Sequence, residues 1–218
     1  MKNLIVIIIL ISCIGCVAKE SYKIETWDGG VLTYYFDDSM YDEPEAMEGF
    51  KKAFTDIESR TKVTFYESAY VDDHTVLIYI SEACRATIGK VEGPFISVKA
   101  YDNPDELMYV IYHEIFHVLG FAHEQQRPDR NFYIDINWNN IATEYKSEFH
   151  IQKPAYNMFK YKYDYKSIMH YNSYTYSNSD EPTMLKYSGK EIKRNLKPSI
   201  GDWSKLNDMY KETEPYIE

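Results

Sequence analysis

Cysteine is scarce in this chain: three of its 218 residues are cysteines, and two of these, Cys13 and Cys16, fall near the N-terminus. Beyond that region only Cys84 remains, so no internal disulfide is expected in the rest of the chain. Positive charge is also in short supply, because 24 lysines and arginines face 34 acidic residues and the formal net charge is -10. This charge argues against nucleic acids and anionic membrane surfaces as partners.

Long apolar runs are absent except near the N-terminus. Leu4–Ile11 is too short to span a bilayer, follows the single charge of Lys2 and precedes small residues, which is the pattern of an export signal. We expect residues 1–18 to be a signal peptide that is cut after the small residues Cys16-Val17-Ala18. The protein would then be secreted.

A lipoprotein signal is the alternative. Leu10-Ile11-Ser12-Cys13 resembles a bacterial lipobox, and Cys16 after Gly15 is a poorer candidate of the same kind. Lipidation of either cysteine would anchor the protein at a bacterial membrane surface, which is the one membrane association that we expect. Retention of the whole segment as a membrane anchor is disfavoured by its length.

The composition describes one globular domain. The chain is long enough for a substantial core but short for two domains, and its 44% hydrophobic and 27% charged residues are ordinary values. Its 22 tyrosines are many. Tyrosine buries a ring while keeping a polar tip, so it suits a protein with much irregular, half-buried chain.

One stretch carries a recognisable chemistry, the pattern H-E-x-x-H-x-x-G-x-x-H at residues 113–123. His113 and His117 are one helical turn apart and can reach a single metal ion. Gly120 can end the helix in a left-handed conformation and turn the chain, so that His123 becomes the third ligand. Three neutral imidazoles leave one position of tetrahedral zinc for water, as in catalytic sites.

Two further residues favour catalysis at this site. Glu114 stands beside the first ligand, where it can accept a proton from the metal-bound water. A bare H-E-x-x-H also occurs on ordinary amphipathic helices, but here SIMHY at 167–171 adds a downstream methionine, Met169, of the Met-turn type. An accidental match of both halves is improbable.

Together these residues resemble the astacin branch of the metzincin zinc proteases. That pattern continues past the third histidine with a glutamate, an arginine and an acidic residue, which Glu124, Arg127 and Asp129 match. Weaker similarity runs from residues 27–36 through 133–141 to the last helix, and it covers nearly all of the chain. The resemblance usually brings two disulfides, which this chain lacks.

The resemblance implies an α+β fold over residues 19–218: a metzincin-type zinc protease domain. Its parts would be an N-terminal twisted mixed β-sheet with two long helices, an active-site cleft, and a largely irregular C-terminal subdomain with one late helix. It also implies one Zn²⁺ per chain, protein or peptide substrates and a monomeric enzyme. Tyr171 would be an extra zinc ligand that leaves the metal during turnover and stabilises the oxyanion. Gly120, Glu124 and Met169 would have structural roles.

Strand and helix signals agree with this architecture. We predict strands at 31–36, 62–66, 75–80 and 96–100, a helix opening at Pro44, the active-site helix beginning after Asn103, and a late helix at about 202–211. By resemblance, the fourth strand is the sheet edge to which a substrate peptide adds. Its residues Ile96, Val98 and Ala100 are therefore the predicted substrate-binding residues.

Two alternatives to an astacin protease stay open at this point. One is a binding module that has lost catalysis, although its usual signature, a missing ligand or base, is not present. The other is a different metzincin type, such as a matrixin-like enzyme, which would lack the tyrosine ligand and the glutamate after the third histidine.

The resemblance also raises a question about Glu124. In astacins the N-terminal ammonium of the mature enzyme is buried near this glutamate, and signal cleavage before Lys19 would create such an ammonium. We therefore hypothesise that export cleavage alone activates the enzyme. A lipidated cysteine would instead leave Glu124 another partner, such as a water or a lysine.

Overall fold

The computed structural model describes residues 24–152 and 160–211; the predicted signal peptide, with Cys13 and Cys16, lies outside them. Five strands form the main sheet, in the order β2-β1-β3-β5-β4. The first four in this order are parallel and β4 is antiparallel to β5, so the predicted mixed sheet is confirmed. The strands are β1 (Val31–Phe36), β2 (Thr64–Glu67), β3 (Val76–Ile80), β4 (Arg85–Ala86) and β5 (Phe95–Val98).

Two long helices, α1 (Pro44–Arg60) and α2 (Pro104–Val118), pack with this sheet. Apolar residues recur on one face of α1, where Phe54 lies 4.7 Å from Tyr34 of β1 between ring centroids. The two helices approach closely because Gly49 has no side chain: a Cβ there would lie 2.6 Å from Ile111 Cδ1. α2 is thereby held inside the domain, and the predicted pair of long helices is confirmed.

The second half of the chain is largely irregular. Its regular elements among the described residues are a two-stranded antiparallel sheet of β6 (Ile134–Ile136) and β7 (Met184–Lys186), short 3-10 turns, and the helix α3 (Ile200–Met209). Ser199 and Asp202 form a capping box, so α3 begins two residues earlier than predicted. A small separate core that includes Ile134, Phe149 and Met184 stabilises this half.

The prediction that the strand at 96–100 forms the edge of the sheet is wrong. The strand expected at 96–100 is β5, and it lies between β3 and β4 rather than at the edge. Ile96 and Val98 are 2% and 0% exposed in the core, while Ala100 lies beyond the end of the strand. The edge is β4, whose two residues are too few to give a strand signal in the sequence.

Candidate metal centre and active-site cleft

The helix α2 begins as its sequence predicts and carries two of the three histidines. The Asn103 side chain accepts hydrogen bonds from the amides of Asp105 and Glu106, which caps the helix. His113 and His117 follow one turn apart near the C-terminal end and are 8% and 6% exposed. Both imidazoles therefore point from one face of the helix into a nearly dry environment.

Gly120 ends α2 and redirects the chain. Its φ is +104°, the Gly120 amide donates to His117 O at 2.8 Å, and the Phe121 amide donates to Phe116 O at 2.9 Å. These paired bonds are those of a Schellman motif, which places glycine in a positive-φ conformation. The turn brings His123 back so that its Nε2 lies 3.1 Å from Nε2 of both His113 and His117.

The three imidazoles are arranged to bind a metal ion. His113 Nδ1 lies 2.9 Å from Ile168 O and His117 Nδ1 lies 2.7 Å from Phe121 O. Because a carbonyl can only accept, each Nδ1 carries the proton and each Nε2 presents its lone pair. Burial lowers the pKa of His113 to about 4 and that of His117 to about 3, so both are neutral at pH 7.

Zinc fits this donor set. Ligand atoms of the three histidines all lie within 4.8 Å of one another. A tetrahedral zinc ion with bonds of about 2.0–2.1 Å to imidazole separates its nitrogen ligands by roughly 3.3 Å, close to the 3.1 Å between the Nε2 atoms here. Histidine nitrogens with fixed tautomers are the ligands that zinc prefers.

Glu114 lies next to the first of these histidines and is 5% exposed. Its Oε2 atom is buried without a hydrogen-bond partner among the described residues. Burial raises the pKa of this carboxyl from 4.5 to about 8. A buried acceptor without a partner is costly, so it marks a position where a ligand or water is expected to bind.

The Met-turn lies beneath the histidines. Met169 is 0% exposed, its amide donates to Ser167 Oγ at 3.0 Å, and its carbonyl accepts from the Glu124 amide at 3.0 Å. The Met169 backbone thus connects the Met-turn to the segment that follows His123. Tyr171 follows, with its ring centroid 4.5 Å from that of His123.

The comparisons with known proteins identify this arrangement. A family model described as Astacin, a peptidase family, matches residues 19–211. The chain belongs to the astacin family. The alternative of a different metzincin type is therefore ruled out.

Several relatives of this astacin are zinc metalloproteinases by name. Zinc metalloproteinase nas-7 of Caenorhabditis elegans is 34% identical over 188 residues, 84% of this chain and 48% of the relative. Tolloid-like protein 1 of Homo sapiens is 30% identical over 191 residues, 87% of this chain and 18% of the relative. The chain spans about half the length of the curated relatives first matched.

Solved structures share the fold. High choriolytic enzyme 1, a hatching enzyme zinc-protease from Oryzias latipes, superimposes with a TM-score of 0.73 at 23% identity, covering 90% of this chain and 97% of its own. Myroilysin gives a TM-score of 0.63 at 18% identity, covering 87% and 97%. The predicted α+β architecture is confirmed.

The astacin cleft in this chain is a cavity of about 980 Å³ along the metal site. Its sheet side is bordered by β4, at Arg85 and Ala86. None of the predicted substrate-binding residues Ile96, Val98 and Ala100 lines it, although Phe95 at the start of β5 does. Further side chains in the wall were not predicted from the sequence: Tyr109, Tyr145, Glu148 and Arg194.

Tyr171 lines this cleft and is held among other aromatic rings. Its ring centroid lies 5.8 Å from Phe149 and 5.6 Å from Tyr176. Burial, and after it the nearby Tyr176, raises the pKa of the Tyr171 hydroxyl. The hydroxyl therefore stays protonated at neutral pH in the metal-free protein and is available as a hydrogen-bond donor.

The segment after His123 is fixed by buried charges. Arg127 is 1% exposed and donates two hydrogen bonds to Asp129, at 2.9 and 2.8 Å. A third bond, from Arg127 Nη1 to Glu124 Oε1, is 3.0 Å long. The three residues that carry the resemblance beyond the third histidine thus form one buried cluster.

Proposed function

We propose that this chain is a zinc-dependent endopeptidase that hydrolyses peptide bonds in protein or peptide substrates. The observation that carries the proposal is the convergence of three histidine Nε2 atoms, beside a buried glutamate, in an open cleft. His113, His117 and His123 would hold the metal, with Tyr171 as an additional ligand. When bound, zinc acts as a Lewis acid that acidifies water and polarises the substrate carbonyl.

Glu114 is the proposed general base. Its Oε2 atom has no hydrogen-bond partner among the described residues, so the carboxylate can accept a proton from the attacking water. The same carboxyl then returns the proton to the leaving amine. Tyr171 donates its hydroxyl proton in a hydrogen bond to the oxyanion that develops on the substrate carbonyl.

Substrate binding is proposed at β4 rather than at β5. As the edge of the sheet, β4 has backbone groups on its outer side that an extended peptide can pair with. The cleft runs along this strand to the metal site. The sheet edge would hold the peptide extended while Glu114 and Tyr171 act on one of its bonds.

Digestion of casein by the purified chain, with and without a zinc chelator, tests the proposed function. We expect cleavage that the chelator abolishes and that added zinc restores. Glu114→Gln is the matched control, since it keeps the metal and loses activity. A folded, fully zinc-loaded preparation that cleaves no member of a broad peptide library would instead support the binding-module alternative.

We further infer that the chain acts outside the cytoplasm. The support is the signal pattern at residues 1–18. Within residues 24–152 and 160–211, no helix has the length and apolar character needed to cross a membrane. Mass spectrometry of the mature N-terminus separates the two export routes: a start at or near Lys19 means secretion, and a diacylglyceryl cysteine means lipid anchoring.

A further inference from the structure

We propose that Lys205 of α3 is a positioning residue of the metal centre: its buried ammonium neutralises Glu124 and so holds the segment that carries His123 in place. The effect on catalysis rests on the proposed function, whereas the effect on zinc binding does not. The Lys205 ammonium has no part in the proposed hydrolysis.

The contact between Lys205 and Glu124 is direct and buried. Lys205 Nζ lies 3.2 Å from Glu124 Oε2, and the two side chains are 5% and 1% exposed. The ammonium also lies over the rings of Phe121, at 5.5 Å, and Tyr161, at 5.7 Å from the centroids. Aromatic faces attract a cation, so the lysine is held by both rings and by the carboxylate.

The other oxygen of Glu124 is already in use. Oε1 accepts from Arg127 Nη1 at 3.0 Å and from the Asp164 amide at 2.9 Å. Arg127 directs its other two hydrogen bonds in this cluster to Asp129. The arginine therefore balances mainly Asp129, and Lys205 supplies the charge that balances Glu124.

Charge balance in this cluster matters because it is buried. Arg127 and Lys205 contribute two positive charges and Glu124 and Asp129 two negative ones, and the buried carboxyl of Asp202 also interacts with Lys205. Removing one member would leave an unpaired charge in a site of low dielectric, which is strongly unfavourable.

Glu124 connects this cluster to the metal ligands. It directly follows His123, and its amide donates to Met169 O at 3.0 Å. A displaced Glu124 would therefore shift the third ligand relative to the Met-turn. Partners of this kind, one step removed from a metal, typically change metal affinity or activity by about 10–100-fold when they are lost.

A second contact from α3 reaches a different ligand. Asp202, one turn before Lys205, accepts from the Ile168 amide at 2.8 Å, and Ile168 O accepts from His113 Nδ1. Residues three apart on a helix share one face. The same face of α3 thus supports both His113 and His123.

A cation beside Glu124 bears on the role of the N-terminal ammonium. Glu124 has an internal cation, so a new N-terminal ammonium is not needed to neutralise it. Export cleavage would then release an enzyme whose metal site does not depend on the identity of its first residue. The hypothesis that this ammonium pairs with Glu124 stays a prediction, because Lys19 lies outside the described residues, and Lys205 is the cation that the described residues place at Glu124.

The test compares Lys205→Met, which keeps chain length but removes the charge, with Lys205→Arg, which keeps the charge. Zinc affinity is measured by competition with a fluorescent chelator, and kcat and KM are measured on a quenched peptide. We expect Lys205→Met to weaken zinc binding by about tenfold or more and to lower kcat with little change in KM. Lys205→Arg should recover most of both.

Lys160→Met is the matched control, because Lys160 is paired with Asp208 but its side chain is 50% exposed. It should change neither zinc affinity nor kcat. If Lys205→Met does not fold, the double variant Lys205→Met/Glu124→Gln removes both charges and should restore folding. A double variant that stays unfolded, or a Lys205→Met protein within twofold of wild type in zinc affinity, overturns the proposal.

An uncleaved extension before Lys19 tests the N-terminal part of the inference. We expect zinc affinity within twofold of the unextended protein, whereas a tenfold loss would reassign the partner of Glu124 to the N-terminal ammonium. Failure of the proposed function is distinguishable, because zinc affinity can be measured on a protein that cleaves nothing. A chain whose zinc affinity depends on Lys205 but which lacks proteolysis would refute the function and keep this inference.

Discussion

Glu114→Gln is predicted to remove activity while making the metal-free protein more stable. The amide keeps the shape of the carboxyl but cannot accept the proton of the attacking water. Loss of a general base typically costs 10²–10⁴-fold in rate, or about 3–5 kcal/mol in the activation barrier. Zinc affinity should change little, since His113, His117 and His123 supply the proposed imidazole ligands.

The gain in stability follows from the burial of Glu114. Its pKa rises from 4.5 to about 8 in the folded state, so folding becomes less favourable as the pH rises between these values. Each pH unit between 4.5 and 7 lowers the free energy of unfolding of the metal-free protein by about 1.4 kcal/mol. The total loss at pH 7 is about 3 kcal/mol. Glutamine does not titrate, so its burial carries no such loss. The free energy of unfolding of the Glu114→Gln variant at pH 7 should therefore exceed that of wild type by an amount of this order.

Two measurements check both halves of this prediction. Steady-state cleavage of a peptide gives kcat/KM, and urea unfolding of the chelator-treated protein gives the free energy of unfolding at pH 7. Glu48→Gln, at an exposed carboxyl of α1 that does not line the cleft, should leave both nearly unchanged. Activity within tenfold of wild type would refute the base assignment, and unchanged stability would refute the burial argument.

Three further predictions concern the same site. Tyr171→Phe should lower kcat with little change in KM, because an oxyanion donor acts chiefly in the transition state; a rise in KM alone would contradict this role. Gly120→Ala should lower the free energy of unfolding by about 1–2 kcal/mol in a urea titration, because its φ of +104° is unfavourable for a residue with a Cβ. The metal-free protein should lose stability as the pH falls from 6.5 to about 4, because its histidines have depressed pKa values, about 4 for His113 and about 3 for His117, and bind protons only on unfolding. The raised pKa of Glu114 acts in the opposite direction, but one carboxyl cannot offset three histidines. A free energy of unfolding that stays constant or rises toward pH 4 would refute the depressed pKa values of the histidines.

The local parts of this protein could be predicted from the sequence because their signals lie within a few residues of one another. The spacing of His113 and His117 follows from the helical repeat, and Gly120 provides the positive φ that ends the helix. Asn103 caps the active-site helix as its side chain and position predict. The β1 strand at 31–36 has the predicted limits, because its run of β-branched and aromatic residues after the Gly29-Gly30 turn is a local strand signal.

Tertiary structure decided which distant residues complete the site. The sheet edge is β4, two residues long, and it exists only because it pairs with β5. Lys205 lies 81 residues from the glutamate that it neutralises, and Ile168 O lies 55 residues from the imidazole that it orients. Such partners leave no periodic or compositional trace, because the free energy that brings them together comes from the packing of the whole domain.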